Sequence, residues 1–228
     1  MKDIKSVTTN WKQGKFWEEC TLEAASGGDV MHMVKVYPEP GEEVIEGFGG
    51  AFTEASAVNF SLLTNEAKEE FLEGYFGDGG LRYTLGRMHM NSCDFGLGNY
   101  AYVKDGDQNL ESFDISHDRK QIIPLVKQAM ERVGNADFGI LVSPWSPPAY
   151  MKTNGEMNHG GKLREEYRRL WADYFVRYLQ ELKKEGLPVR YLTVQNEPEA
   201  VQTWDSCIYT AREEGHFAAE FLAPALKA

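Results

Sequence analysis

Tyr191-Leu-Thr-Val-Gln-Asn-Glu-Pro198 is the stretch that decides the fold. Val189 to Val194 is apolar and rich in β-branched residues, and reads as a buried strand of a parallel sheet. Pro198 cannot donate to a sheet ladder, so the strand ends there, and it biases Glu197 toward extended backbone. A carboxylate is thereby fixed at the C-terminal tip of a strand, with the amide of Asn196 beside it. Catalytic side chains collect at that edge in parallel α/β folds. A partly desolvated Glu in such a place is suited to act as a general acid. The plainer reading is a strand-end Glu that caps the next helix or faces solvent. Strict alternation would send Asn196 and Glu197 to opposite faces, so both reach one pocket only if the strand bulges or twists at its tip.

Working outward, the same pattern of strand, Gly or Pro, polar loop and helix recurs. Upstream, Leu170, Trp171, Tyr174, Phe175, Tyr178, Leu179 and Leu182 make one continuous helical stripe, stopped by Gly186 and Pro188. Arg164, Arg168, Arg169 and Arg177 read as its solvated face. Before it comes a strand over Phe138–Ser143, running into Pro144-Trp-Ser-Pro-Pro-Ala149 and a polar loop. Earlier still, Tyr83–Met90 reads as a strand ending in Asn91-Ser-Cys-Asp-Phe95. A long loop rich in Gly, Asp, Asn and Tyr follows; loops of that length inside a domain usually carry function. A helix is expected over about 117–132, its start blurred by Pro124. The first unit is a short strand entering Gly47-Phe-Gly-Gly-Ala-Phe52, then two helices, the second capped by Thr64 with Glu66 in its first turn. Downstream, Thr210 and Glu213 form a capping box, and Phe217, Phe221 and Leu222 the core face of the last helix. Residues 1–44 differ: Lys15–Cys20 and Met31–Tyr37 read as short strands, with Trp11, Phe16 and Trp17 as packing residues.

Four βα units in series predict a parallel sheet with covering helices, either doubly wound or part of a TIM barrel. Asp94, Trp145 and the Asn196-Glu197 pair lie just past three successive strands. A barrel gathers its site from many strands at one face, whereas a doubly wound sheet uses one switch point. Composition narrows the function. The 228 residues carry a net charge of −11, which argues against nucleic acid and anionic membranes as partners. The three Cys form no CxxC pair and the five His no HxxxH pair, so no zinc site is expected. No apolar run is long enough to span a membrane, and Met1–Lys5 has no hydrophobic leader, so the expected location is cytoplasmic.

Trp145, held between prolines, offers an aromatic face for a sugar ring or fills the core under its loop. Asp94 and Asn196 can bind sugar hydroxyls or serve as turn formers. Arg87, in an otherwise apolar strand, calls for an acidic partner. Gly47-Phe-Gly-Gly50 has the look of a dinucleotide loop but fails in detail. Phe52 takes the place of the third Gly, and Glu54 puts negative charge where pyrophosphate would bind. Those glycines are expected to allow a tight strand-to-helix turn.

Four stretches together resemble glycoside hydrolase family 30, the glucosylceramidase-like retaining β-glycosidases. They are Gly47–Ala55, Arg87–Phe95, Ser143–Pro148 with Lys152–Gly155, and Asn196-Glu-Pro198. The resemblance implies a (β/α)8 barrel whose first four units occupy residues 45–228. Residues 1–44 would then supply strands of a side β-sandwich. It implies Glu197 as acid/base, Asn196 on the sugar 2-hydroxyl, Asp94 and Trp145 on the nonreducing sugar, Phe95 lining the pocket, and Arg87 ordering the acidic cluster. No cofactor is implied, because two carboxylates suffice for the chemistry. After Pro198 the sequence departs from the glucosylceramidases, which puts ceramide specificity in question. A retaining enzyme needs a nucleophile about 5 Å from the acid/base. In this family that is a Glu near the seventh strand, and Glu54, Asp94 and Asp205 do not match it. The expected partners are a β-glycoside and either the C-terminal half of the barrel or further copies, which would associate through open sheet edges.

Overall fold

The computed structural model describes residues 6–21, 35, 37, 41, 44–134 and 138–228. The chain divides into two compact units, residues 1–44 and 45–228. In the first, β1 (Ser6–Asn10) pairs antiparallel with β2 (Lys15–Cys20), the latter as expected. The turn between them is capped by the Asn10 side chain and closes at Gly14, whose φ of +64° suits glycine. The strand expected over Met31–Tyr37 falls almost wholly outside the described residues. Trp11, Phe16 and Trp17 were expected to pack, but all three are exposed; Trp11 and Phe16 meet edge to face at 4.8 Å. A two-stranded ribbon has no layer of its own with which to cover its rings.

The second unit is built on four parallel strands in chain order: β3 (Gly49–Phe52), β4 (Leu85–Met90), β5 (Gly139–Pro144) and β6 (Val189–Leu192). α1 (Glu54–Leu62) and α2 (Asn65–Phe76) follow β3. α3 (Ser116–Lys120) and α4 (Ile122–Val133) follow β4, and α5 (Arg168–Lys184) follows β5. After β6 come α6 (Ala211–Phe217), a π-turn and α7 (Ala223–Lys227). Threonine hydroxyls start three of the helices. Thr53, Thr64 and Thr210 each accept a first-turn N–H, and Glu213 completes the capping box at Thr210. The single helix expected over 117–132 is broken at Gln121, where φ is −140°. Pro124 then sits in the first turn of α4, where its missing N–H has no helical partner to lose.

Alternation along the strands separates two faces. Phe52, Met88, Met90, Ile140 and Val142 point to one side and are buried with residues of α4 and α5, including Ile122, Val126, Trp171, Tyr174 and Tyr178. On the other side lie Ala51, Arg87, Leu141, Tyr191 and Thr193, all partly or largely open. A helix-covered face backed by a polar, open one is what four units of an α/β barrel present. The glycines of the first unit do not make the expected turn. Gly49 and Gly50 lie inside β3, and a Cβ on Gly49 would fall 1.8 Å from the Leu85 carbonyl oxygen. Their smallness serves strand-to-strand approach rather than a turn.

Candidate active site

The open face and the strand tips above it carry the polar groups. Arg87 lies on the open side of β4. Its Nη2 donates to Asn196 Oδ1 at 2.8 Å and its Nε to Ser143 Oγ at 3.1 Å. Thr193 Oγ1 bonds the same serine at 2.8 Å. The guanidinium carbon stands 4.6 Å from the centre of the Trp145 ring, a cation–π contact. The expected acidic partner is replaced by two neutral oxygens and an aromatic face. That suffices because Arg87 is only half buried and keeps part of its hydration. Burial draws its pKa down, while the carboxylates of Glu197 and Asp94 push it back up. One cation thus joins Asn196 and Trp145.

Glu197 differs from expectation in two ways. It is exposed rather than partly desolvated, because it stands at the strand tip on the open side. Its φ is +46° rather than extended. The chain turns sharply here: the Ala200 N–H donates to the Glu197 carbonyl at 2.9 Å, and the Tyr209 N–H to that of Pro198 at 2.8 Å. The positive φ breaks strict strand alternation at Glu197. Gln202 Nε2 donates to Glu197 Oε2 at 3.3 Å. Gln195, one step before Asn196, donates to the Trp145 carbonyl at 2.6 Å and fixes the β5 and β6 tips to each other. Its buried Oε1 has no hydrogen-bond partner among the described residues.

Asp94 and Phe95 sit in a tight turn after β4, closed by the Gly96 N–H on the Cys93 carbonyl at 3.1 Å. Both are exposed, Phe95 at 58%. Burial pushes the neighbouring Cys93 thiol up to about 12, which makes it inert. His89, two residues beyond Arg87, receives the Glu54 N–H on Nε2 at 3.2 Å. Nδ1 therefore carries the proton, and it donates to the Asn91 carbonyl at 2.6 Å. Asn91 in turn bonds the Ser146 carbonyl and accepts from the Tyr174 hydroxyl.

Three rim loops are stitched together at Asp205, which is buried. It accepts from Ser92 Oγ at 2.6 Å and from Asn99 Nδ2 at 3.0 Å, while Asn99 also reaches Asn158 Oδ1 at 2.7 Å. Lys152 is fully buried and donates to the carbonyls of Met157 and Ser206. Among the described residues no three of His, Cys, Asp and Glu converge to hold a metal ion.

The profile of the Glycosyl hydrolase family 30 TIM-barrel domain matches residues 45–228. The chain belongs to glycosyl hydrolase family 30. It is 32% identical to putative glucosylceramidase 4 of Caenorhabditis elegans over 96% of its own length and 44% of that protein's. It is 34% identical to the lysosomal acid glucosylceramidase of Mus musculus, over 74% of this chain and 34% of that one. The crystal structure of SrfJ from Salmonella typhimurium superposes with a TM-score of 0.84 at 41% identity, covering 97% of this chain and 50% of SrfJ. The chain thus spans about half or less of the length of these family 30 relatives, and its four βα units are part of the family's barrel.

Sequence reading singled out Arg87, Asp94, Phe95, Trp145, Asn196 and Glu197. It passed over His89, Ser143, Thr193, Gln195 and Gln202. Period-two alternation from Arg87 marks His89 as sharing its face, so that residue was within reach. Gln202 acts through a loop turn that no periodicity encodes.

Proposed function

We propose that this chain carries the acid/base half of a retaining β-glycosidase acting on β-linked glucosides or related glycosides. The observation that supports this reading is the Arg87-centred cluster joining Asn196 and Trp145, with Glu197 on the same strand tip. Glu197 protonates the leaving-group oxygen and later activates water. Asn196 takes the sugar 2-hydroxyl. Asp94 and the free face of Trp145 hold the nonreducing sugar, and Phe95 closes its side. Arg87 fixes the Asn196 amide and one face of Trp145. Ceramide glycosides are one candidate substrate, since two of the relatives above bear the name glucosylceramidase.

The nucleophile comes from outside these residues. Glu54 and Asp205, two further carboxylates near the tips, are buried and already bonded to His117 and Leu97, and to Ser92 and Asn99. Either the rest of the barrel or a further copy covers the open strand edges. The same observation favours a second reading, a sugar-binding half barrel without turnover.

The test is nitrophenol release from aryl β-glucoside and β-xyloside by the 228-residue chain, and by the chain joined to the C-terminal half of SrfJ. Glu197→Gln and Asp94→Ala run beside both. The proposal expects turnover in the joined protein that falls at least about a hundredfold in Glu197→Gln. Turnover indifferent to Glu197 sinks it, and sugar binding with no turnover in either form favours the second reading.

A further inference from the structure

We propose that Glu54 is a positioning residue of the sugar pocket, holding the Asp94–Phe95 turn in place without touching the sugar; the sugar pocket itself rests on the reading above. Glu54 opens α1 and is 5% exposed. The cap of that helix is already served by Thr53, whose hydroxyl accepts the Ser56 N–H. The carboxylate is therefore free for another task. Its Oε2 accepts the Leu97 N–H at 2.8 Å, and its Oε1 lies 2.5 Å from His117 Nε2. The next residue, Ala55, donates its N–H to the Phe95 carbonyl at 2.9 Å. The start of α1 thus grips the turn at Phe95 and at Leu97.

The remaining contacts give that grip a rigid base. The His117 ring stacks on Tyr100 at 3.7 Å, and the Tyr100 hydroxyl donates to Asp118. The Glu54 N–H is itself spent on His89, which stands on the same strand as Arg87. A Cβ on Gly96 would lie 3.1 Å from Glu54 Oε2, so the turn rests directly on the carboxylate. Among the described residues the one ion-pair partner of Glu54 is His117, and no Lys or Arg compensates its burial. Burying a carboxylate this way is costly. Here it yields a fixed direction for the two side chains carried by the turn.

The experiment measures amide hydrogen exchange by NMR on the 228-residue chain, with glucose and a glucose-like iminosugar titrated in parallel. Glu54→Ala removes the acceptor, Glu54→Asp keeps the charge but withdraws it by one methylene, and Glu54→Gln keeps an acceptor oxygen. Expected is exchange of the Leu97 amide at least about tenfold faster in the Ala and Asp variants, with the amides of β4 and β5 unchanged. Sugar affinity falls at least about fivefold in the same variants, and Gln recovers most of both. Unchanged Leu97 exchange overturns the proposal, as does acceleration shared by β4 and β5, which marks a merely structural role. Should Glu54→Ala not fold, the Asp and Gln pair decides alone. If Leu97 responds as expected while neither the unaltered chain nor the chain joined to the C-terminal half of SrfJ binds sugar, the positioning of the turn stands and the glycosidase reading fails.

Discussion

Asp118 is fully buried, with the hydroxyls of Tyr100, Tyr102 and Tyr178 donating to its carboxylate at 2.6–3.0 Å. Burial raises its pKa above the ordinary carboxylate value, and the three hydroxyls pull it partly back. The folded state therefore holds this proton more tightly than the unfolded chain. Its contribution to stability is full below the unfolded value and is lost as pH rises through the folded one. The network still depends on the acceptor: Asp118→Ala takes it from three tyrosine hydroxyls, leaving Tyr178 only the His89 carbonyl at 3.4 Å, and should cost about 3 kcal/mol in urea unfolding. Lys152 shows the opposite linkage. Burial lowers its pKa to about 8 from 10.5, so the unfolded chain binds more protons between those values and stability rises with pH there. The difference between wild type and Lys152→Met should grow in favour of wild type from pH 8 to 10.5, at up to about 1.4 kcal/mol per pH unit. A flat difference in urea midpoints across that window would contradict it.

Elements depend on close contacts that composition alone does not show. The 1.8 Å approach at Gly49 predicts that Gly49→Ala unpairs β3 from β4. We expect a loss of about 3 kcal/mol or more, or no cooperative thermal transition at all. At the rim, Asp205→Ala releases Ser92 and Asn99 together. Faster proteolysis within residues 96–110, with β-sheet circular dichroism retained, is the expected result. These contacts explain what the sequence revealed. The strands β4 and β5, the Thr64 cap, the Thr210 capping box and the Trp171–Leu182 stripe are written in local periodicity and cap chemistry, so they were legible, whereas β3 begins only at Gly49 and β6 is shorter and more open than the buried strand expected over Val189–Val194. The use of Gly49 depends on Leu85, far along the chain, and the turn at Glu197 and the break at Gln121 leave no periodic signature. Arg87 could be picked out as unusual, but its neutral partners Ser143 and Asn196 are 56 and 109 residues away. No local pattern encodes such pairings.

At the scale of the molecule, four paired strands end in two edges with no further strand among the described residues. Exposed Phe48, Leu62, Leu81 and Tyr191 add apolar surface to this unit. Edges of this kind template association. We therefore expect the 228-residue chain at micromolar concentration to sediment faster than its 25.8 kDa mass allows and to enhance the fluorescence of an apolar dye. Joining it to the C-terminal half of SrfJ should abolish both; a clean monomer without dye binding would count against the open-edge reading. The order of the strands has one more consequence. Because β3, β4, β5 and β6 are neighbours in space in the sequence in which they are synthesised, each strand leaving the ribosome meets a partner already made. Such a sheet grows by accretion at one advancing edge, with no need to wait for a distant segment. The residues that gather around Arg87 are then in place once β6 has joined the sheet.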